Sequence, residues 1–196
     1  MGATIRRCIA SLALLAMAVT AIQAQEPSSR LGFYASLGPS YGWASISCDQ
    51  CASSPSRNGW GGFLKLGWTL SPNWQAGVEG NLWTKSEGGV RTRLEQFSAA
   101  AYFYPAAGSG FFVKGGAGLS GQEYHPSGST VDYTGWSIGL LAGTGYDVRI
   151  AGDAYLTPLV NFYYGAPRSV ESGNAGTVFT RSSFTVLEIG VGITWH

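Results

Sequence analysis

The chain has 196 residues, a formal net charge of +1, only 12 % charged residues and 29 glycines. Typical soluble domains carry about 25 % charged residues, so a fully water-facing surface is hard to build from this composition. The near-neutral balance offers no electrostatic basis for binding nucleic acid.

The first twenty-four residues have the organisation of an export signal. Arg6 and Arg7 form a positive start, Cys8 to Val19 an apolar run, and Ala24 a small residue before an expected cut at Gln25. The run is shorter than the roughly 20 apolar residues that cross a bilayer as a helix. Removing it takes away two bases and no acids, leaving ten bases against eleven acids. The expected organisation is a signal peptide over 1–24 and one domain over 25–196. No later stretch is long and apolar enough for a membrane helix, so a membrane-spanning mature chain must span with strands.

From Leu31 the dominant pattern is alternation. The first run covers 31–42, with Phe33, Ala35 and Leu37 on its apolar face. The next, 60–70, places Trp60, Leu64, Leu66, Trp68 and Leu70 on one face and Phe63, Lys65 and Thr69 among glycines on the other. After Ser71-Pro72-Asn73 the parity resumes over 74–82, which makes a hairpin with Leu70 opposite Trp74 and Lys65 opposite Glu79. Further runs follow at 90–104, 110–124, 134–149, 154–164 and 182–195. In the run from Val90 the aromatics Phe97 and Phe103 share parity with Arg91, Arg93 and Glu95.

Eight strands result, and their connections alternate in length. The links at 43–59, 125–133 and 165–181 are long, while those at Pro72, Pro105 to Ser109 and Gly152-Asp153 are short; the link 86–89 breaks the trend. The expected fold is all-β, an eight-stranded antiparallel up-and-down transmembrane barrel with long outer loops and short periplasmic turns. An eight-stranded barrel has interior room only for close-packed side chains, so the many bulky apolar residues must face outward. Trp60 and Trp68 support this, lying about 26 Å apart along the strand and about 20 Å along the normal after tilting, comparable with an apolar band of about 25 Å.

The run Glu188-Ile189-Gly190-Val191-Gly192-Ile193-Thr194-Trp195 resembles the insertion signal of outer-membrane barrels, with Glu188, Gly190, Ile193 and Trp195 at its polar, glycine, apolar and aromatic places. His196 departs from the pattern, since the aromatic is usually last. The region from about residue 30 to 196 resembles the small outer-membrane barrels, among them the membrane domain of outer-membrane protein A, the opacity proteins and the small adhesion barrels. The resemblance implies a bacterial outer-membrane location. It also implies contact with outer-membrane lipid and lipopolysaccharide and recognition by the barrel-insertion machinery. It covers anchors, adhesins, narrow pores for small solutes or ions and lipid A-modifying enzymes without choosing among them. The expectation is a non-enzymatic membrane anchor with a surface-exposed interaction role, its surface ligand unspecified and without a cofactor.

Cys48-Asp49-Gln50-Cys51 falls in the first outer loop, where an oxidising envelope favours a disulfide between Cys48 and Cys51. A zinc site would need further ligands, and the two histidines, His125 and His196, fall at opposite ends of the expected barrel. Gly38 to Gly42 and Gly116 to Gly121 match a hydrolase elbow and a dinucleotide fingerprint, but neither feeds a helix. His125-Pro126-Ser127 with Glu123 resembles in part the His-any-Ser pair of lipid A deacylases, and a solvated loop cluster is the simpler reading. Lys65, Glu79, Lys114, Asp147, Arg149 and Glu188 share the polar faces. Such charges face inward and pair, so they are expected to form a lumen charge network.

Overall fold

The computed structural model describes residues 30, 32–49, 56–128, 133–172 and 176–196, and the side chains of 171–180 are not described. The proposed signal peptide lies outside these residues. Among those described the secondary structure is entirely strand: β1 (Gly32–Ser47), β2 (Arg57–Ser71), β3 (Trp74–Glu87), β4 (Val90–Phe103), β5 (Phe111–Pro126), β6 (Tyr133–Tyr146), β7 (Val148–Ala151), β8 (Ala154–Ser172) and β9 (Gly176–Trp195). Gly145 pairs with Leu159 and Val148 with Leu156, so β6 and β7 run in one register against β8. Together they form a single barrel strand interrupted at Asp147. Sequential neighbours pair antiparallel and β1 pairs β9, which closes an eight-stranded barrel without free edges.

The register fixes the geometry of the closure. Cross-strand partners run from Gly32 through Thr69, Gln75, Tyr102, Lys114, Gly143, Asn161 and Glu188 to Gly42. One circuit thus advances ten residues along β1, and for eight strands this shear requires a tilt of about 40°. Every circuit rises from the periplasmic end toward the outer end, which carries side chains distant in sequence to the same height in the lumen.

Two faces separate by parity. Leu64, Trp68, Val78, Leu119, Ile138, Leu140, Ile189 and Val191 are exposed on the outside, where they form the apolar wall that lipid covers. Trp83, Tyr34, Tyr102, Tyr163, Phe112 and Phe184 are buried inside with polar groups between them. The glycines of the inner face make room for these large groups. A Cβ on Gly59 would lie 2.7 Å from the Trp83 ring, and one on Gly143 would lie 2.7 Å from Cε of Lys114. The short link between β3 and β4 has a different need, since Gly88 and Gly89 have φ of 57° and 76°. Such a two-residue turn is favourable where glycine supplies positive φ.

The strands are longer than the alternation indicates. A tilted membrane strand needs about 9–11 residues, whereas β8 has 19 and β9 has 20. Most of the expected seventh loop, 165–181, is therefore a hairpin continuing β8 and β9, and β1 likewise extends to Ser47. The alternation stops earlier because above the membrane the outward positions need not be apolar. The same cause explains β4, whose outward positions are Phe97, Ala99 and Ala101 within the apolar wall and Arg91 and Arg93 beyond it.

Candidate functional site

The lumen is organised around Glu79. Lys65 is its cross-strand neighbour, as the hairpin predicts, but the ion pair is made by another strand. Lys114 Nζ on β5 lies 2.5 Å from Glu79 Oε1. Asn81 Nδ2 and Asn161 Nδ2 donate to that same oxygen at 3.1 and 3.3 Å, and Tyr102 Oη donates to Oε2 at 2.6 Å. This satisfies the carboxylate from four side chains, the condition under which a buried charge is tolerated. Lys65 instead directs its ammonium toward the rings of Phe112, Phe63 and Tyr102, at 5.0, 5.1 and 5.6 Å from their centroids. Rings at this range attract a cation through their quadrupoles.

Two further carboxylates anchor the network at different heights. Glu188 is fully buried and accepts from Tyr163 Oη at 3.0 Å. Asp147, at the break between β6 and β7, accepts from Thr157 Oγ1 at 2.7 Å and Tyr104 Oη at 2.9 Å, with His196 Nε2 at 3.4 Å. Its backbone N–H bonds to the Gly110 carbonyl at 2.9 Å. His196 also contacts Gln75 at 3.1 Å, so it closes the periplasmic end of the lumen.

Of the six charges assigned to the lumen from sequence, Lys65, Glu79, Lys114, Asp147 and Glu188 are buried there. Arg149 is placed differently. It is half-buried at the periplasmic edge, where its Nε donates to the Gly152 carbonyl at 2.8 Å and braces the turn. Parity would aim it inward, but a residue two places from a turn has the turn carbonyls within easier reach. Sequence reading missed the neutral donors Tyr102, Asn161 and Tyr163, although the alternation gives each an inward position on its strand. In the terminal motif, Glu188 and Gly190 point into the barrel while Ile193 and Trp195 face outward.

At the outer end, His125 Nε2 lies 3.4 Å from Glu123 Oε2. Ser127 follows in the turn, its backbone N–H bonded to the Gly89 carbonyl at 2.6 Å. Arg93 reaches Glu95 at 2.5 Å and Glu123 at 3.9 Å. Thus Glu123 is divided between a histidine and an arginine, the arrangement of a rim ion cluster. Cys48 lies just past the end of β1, and Cys51 falls outside the described residues.

The outer-membrane protein beta-barrel domain family matches residues 12–157. No curated protein matches the chain in sequence. Among solved structures, Neisserial surface protein A is similar at TM-score 0.60 and 18 % identity, covering 84 % of this chain and 96 % of that one. Ail, the attachment invasion locus protein of Yersinia pestis, gives 0.49 at 14 % identity, covering 84 % and 99 % of the two chains. OprG of Pseudomonas aeruginosa gives 0.47 at 13 % identity, with 88 % and 100 % covered. With a family match over most of its length and a closed eight-stranded barrel, this chain belongs to the outer-membrane protein beta-barrel domain family and is a bacterial outer-membrane protein.

Proposed function

We propose that the protein is a plugged membrane anchor whose outer strands and loops form an interaction surface outside the cell. The observation that carries this reading is the filled lumen. Lys114, Glu79 and Asn161 interlock across it, and Tyr34, Tyr102 and Phe112 pack edge to face with one another on its periplasmic side. A barrel packed in this way supports a wall for lipid and a platform for loops better than a passage for solutes. The long β8 and β9 support an exposed role as well, since they exceed by several residues what the membrane requires.

In this reading residues 1–24 direct export, the insertion machinery recognises the strand bearing Glu188, Gly190, Ile193 and Trp195, and outer-membrane lipid and lipopolysaccharide surround the wall. Two measurements test it together. An epitope placed between Asn58 and Cys48, within 50–55, should be reached by antibody on intact cells, and purified protein in planar bilayers should pass no steady current. A steady current would replace the anchor with a pore, and a hidden epitope would remove the surface role. A change in lipid A mass that depends on His125 or Ser127 would make the protein an enzyme.

A further inference from the structure

Outside the barrel, at the outer end of β2 to β5, a cleft of about 1040 Å³ is lined by Trp60, Thr84, Ser86, Arg91, Arg93 and His125, among others. These side chains share outward parity and form cross-strand neighbours. Trp60 pairs with Thr84, Thr84 with Arg93, Ser86 with Arg91, and Arg91 with His125. Lys85 adds a third lysine or arginine to the lining, and neither Glu95 nor Glu123 lines it. Arg93 is held by these two carboxylates from the side. Arg91 is exposed and makes no ion pair among the described residues.

The height of the cleft matters as much as its charge. Trp60 belongs to the upper edge of the apolar wall. Register rows climb by about one residue for each strand crossed toward β9, so Arg93, two strands on from Trp60, stands roughly 6 Å above that edge. Arg91 and His125 stand higher still on the same face. Below Arg93 the outward positions of β4 are Glu95 and the exposed Phe97, which pairs with Leu119, and only beneath these is the wall shallow, where Ala99 pairs with Ala117 and Ala101 with Ala76. A cationic cleft thus sits over an apolar wall that begins with Phe97 and Leu119 and continues into the alanine strip, at the level where lipid headgroups begin.

We propose that this cleft binds the phosphate-bearing headgroup of an outer-leaflet glycolipid, whose acyl chains lie against Phe97 and Leu119 and the alanine strip beneath them. Arg91 and Arg93 provide guanidinium donors suited to phosphate oxygens, which accept bidentate, charge-assisted hydrogen bonds. Ser86 and Asn58 supply neutral donors for sugar hydroxyls, Thr84 Oγ1, which donates to the Thr92 carbonyl at 3.2 Å, supplies an acceptor, and Trp60 offers a face at the boundary of chain and headgroup. The lipid source is favoured over a free anion because the cleft opens onto the apolar wall. This inference rests on the outer-membrane location but does not depend on whether the loops meet an external partner.

The test uses the full mature protein in detergent, with native mass spectrometry against three probes: diphosphoryl lipid A, the same lipid without phosphates, and inorganic phosphate. The unmutated protein should prefer the diphosphoryl lipid. The double variant Arg91→Gln, Arg93→Gln should weaken that binding by at least about tenfold, to the level of the dephosphorylated lipid. Arg91→Lys should retain an intermediate share, and a normal heat-induced gel shift shows that each variant is folded. Equal binding of the two lipids, or no effect of the double variant, overturns the proposal. Inorganic phosphate competing at the same concentration as the lipid overturns the lipid source. The anchor reading fails on different measurements, a steady current or a hidden epitope, so the two failures are distinguishable.

Discussion

Glu79 is paired across the lumen with Lys114, 35 positions away, while Lys65, its cross-strand neighbour in the sheet, turns its ammonium toward aromatic rings. The two lysines should therefore respond differently to mutation. Lys114→Met leaves Glu79 buried without its counter-ion, a change that costs about 3–5 kcal/mol in well-buried sites. Lys65→Met removes a charge held by weaker ring and long-range attraction and should cost clearly less. Double-mutant cycles in urea, read by the heat-induced gel shift, should give a larger coupling of Glu79→Gln to Lys114→Met than to Lys65→Met. The reverse order would mean that the carboxylate is held by its hairpin partner.

Trp195 is exposed on the lipid side of β9, beside Ala35 and Ala154 on the neighbouring strands. Its replacement by serine removes an interfacial aromatic from the apolar wall without disturbing the lumen. The folded, heat-modifiable fraction in outer membranes should fall while synthesis is unchanged. If the folded amount stays constant, the terminal motif does not depend on this residue.

The contrast between the lysines shows what alternation can and cannot convey. Parity alone assigns Lys65 and Glu79 to the lumen, and the hairpin places them opposite one another, although Ser71 rather than the expected Leu70 pairs with Trp74 at the turn and a register shift between Thr69 and Ser71 makes up the difference. Lys114 reaches Glu79 through the shear of the whole barrel, a closure property that no single hairpin encodes. Strand ends are hidden for a related reason. The apolar pattern in β4 ends at Phe97 because the membrane ends there, while the backbone ladder continues through Arg93 and Arg91 to Val90. The cleft carrying Arg91 and Arg93 was therefore present in the sequence only as an irregularity of parity.

Cys48 and Cys51 are expected to be joined, and their crosslink closes a very short loop outside the transmembrane sheet. Reduction should leave the barrel folded, since so small a loop adds little constraint to the unfolded chain beyond what the sheet supplies. Thiol reagents should fail to label unreduced, denatured protein and should label both positions after reduction. Labelling of both without reductant would reject the pairing.

Asp147 ties the lumen together at its periplasmic end. Its Oδ1 accepts from Thr157 and its Oδ2 from Tyr104, and Thr157 also bonds to Thr194 Oγ1 at 2.7 Å. Asp147→Ala therefore takes the carboxylate acceptor from two buried hydroxyls, which fall back on Thr194 Oγ1 and Gln75 Oε1, and removes a contact of His196. Each hydrogen bond lost to a charged group costs about 1.5–3 kcal/mol. Tyr104→Phe removes a single donor, and the carboxylate it leaves keeps Thr157 and His196, so its cost should be the smaller. Once Asp147 is absent the tyrosine hydroxyl has lost this acceptor, although it keeps Gln75 Oε1 at 3.2 Å. The second mutation should then cost less than it does alone. Urea titration of the two single variants and the double variant measures this saving, and strict additivity would show that Tyr104 and Asp147 stabilise the barrel independently.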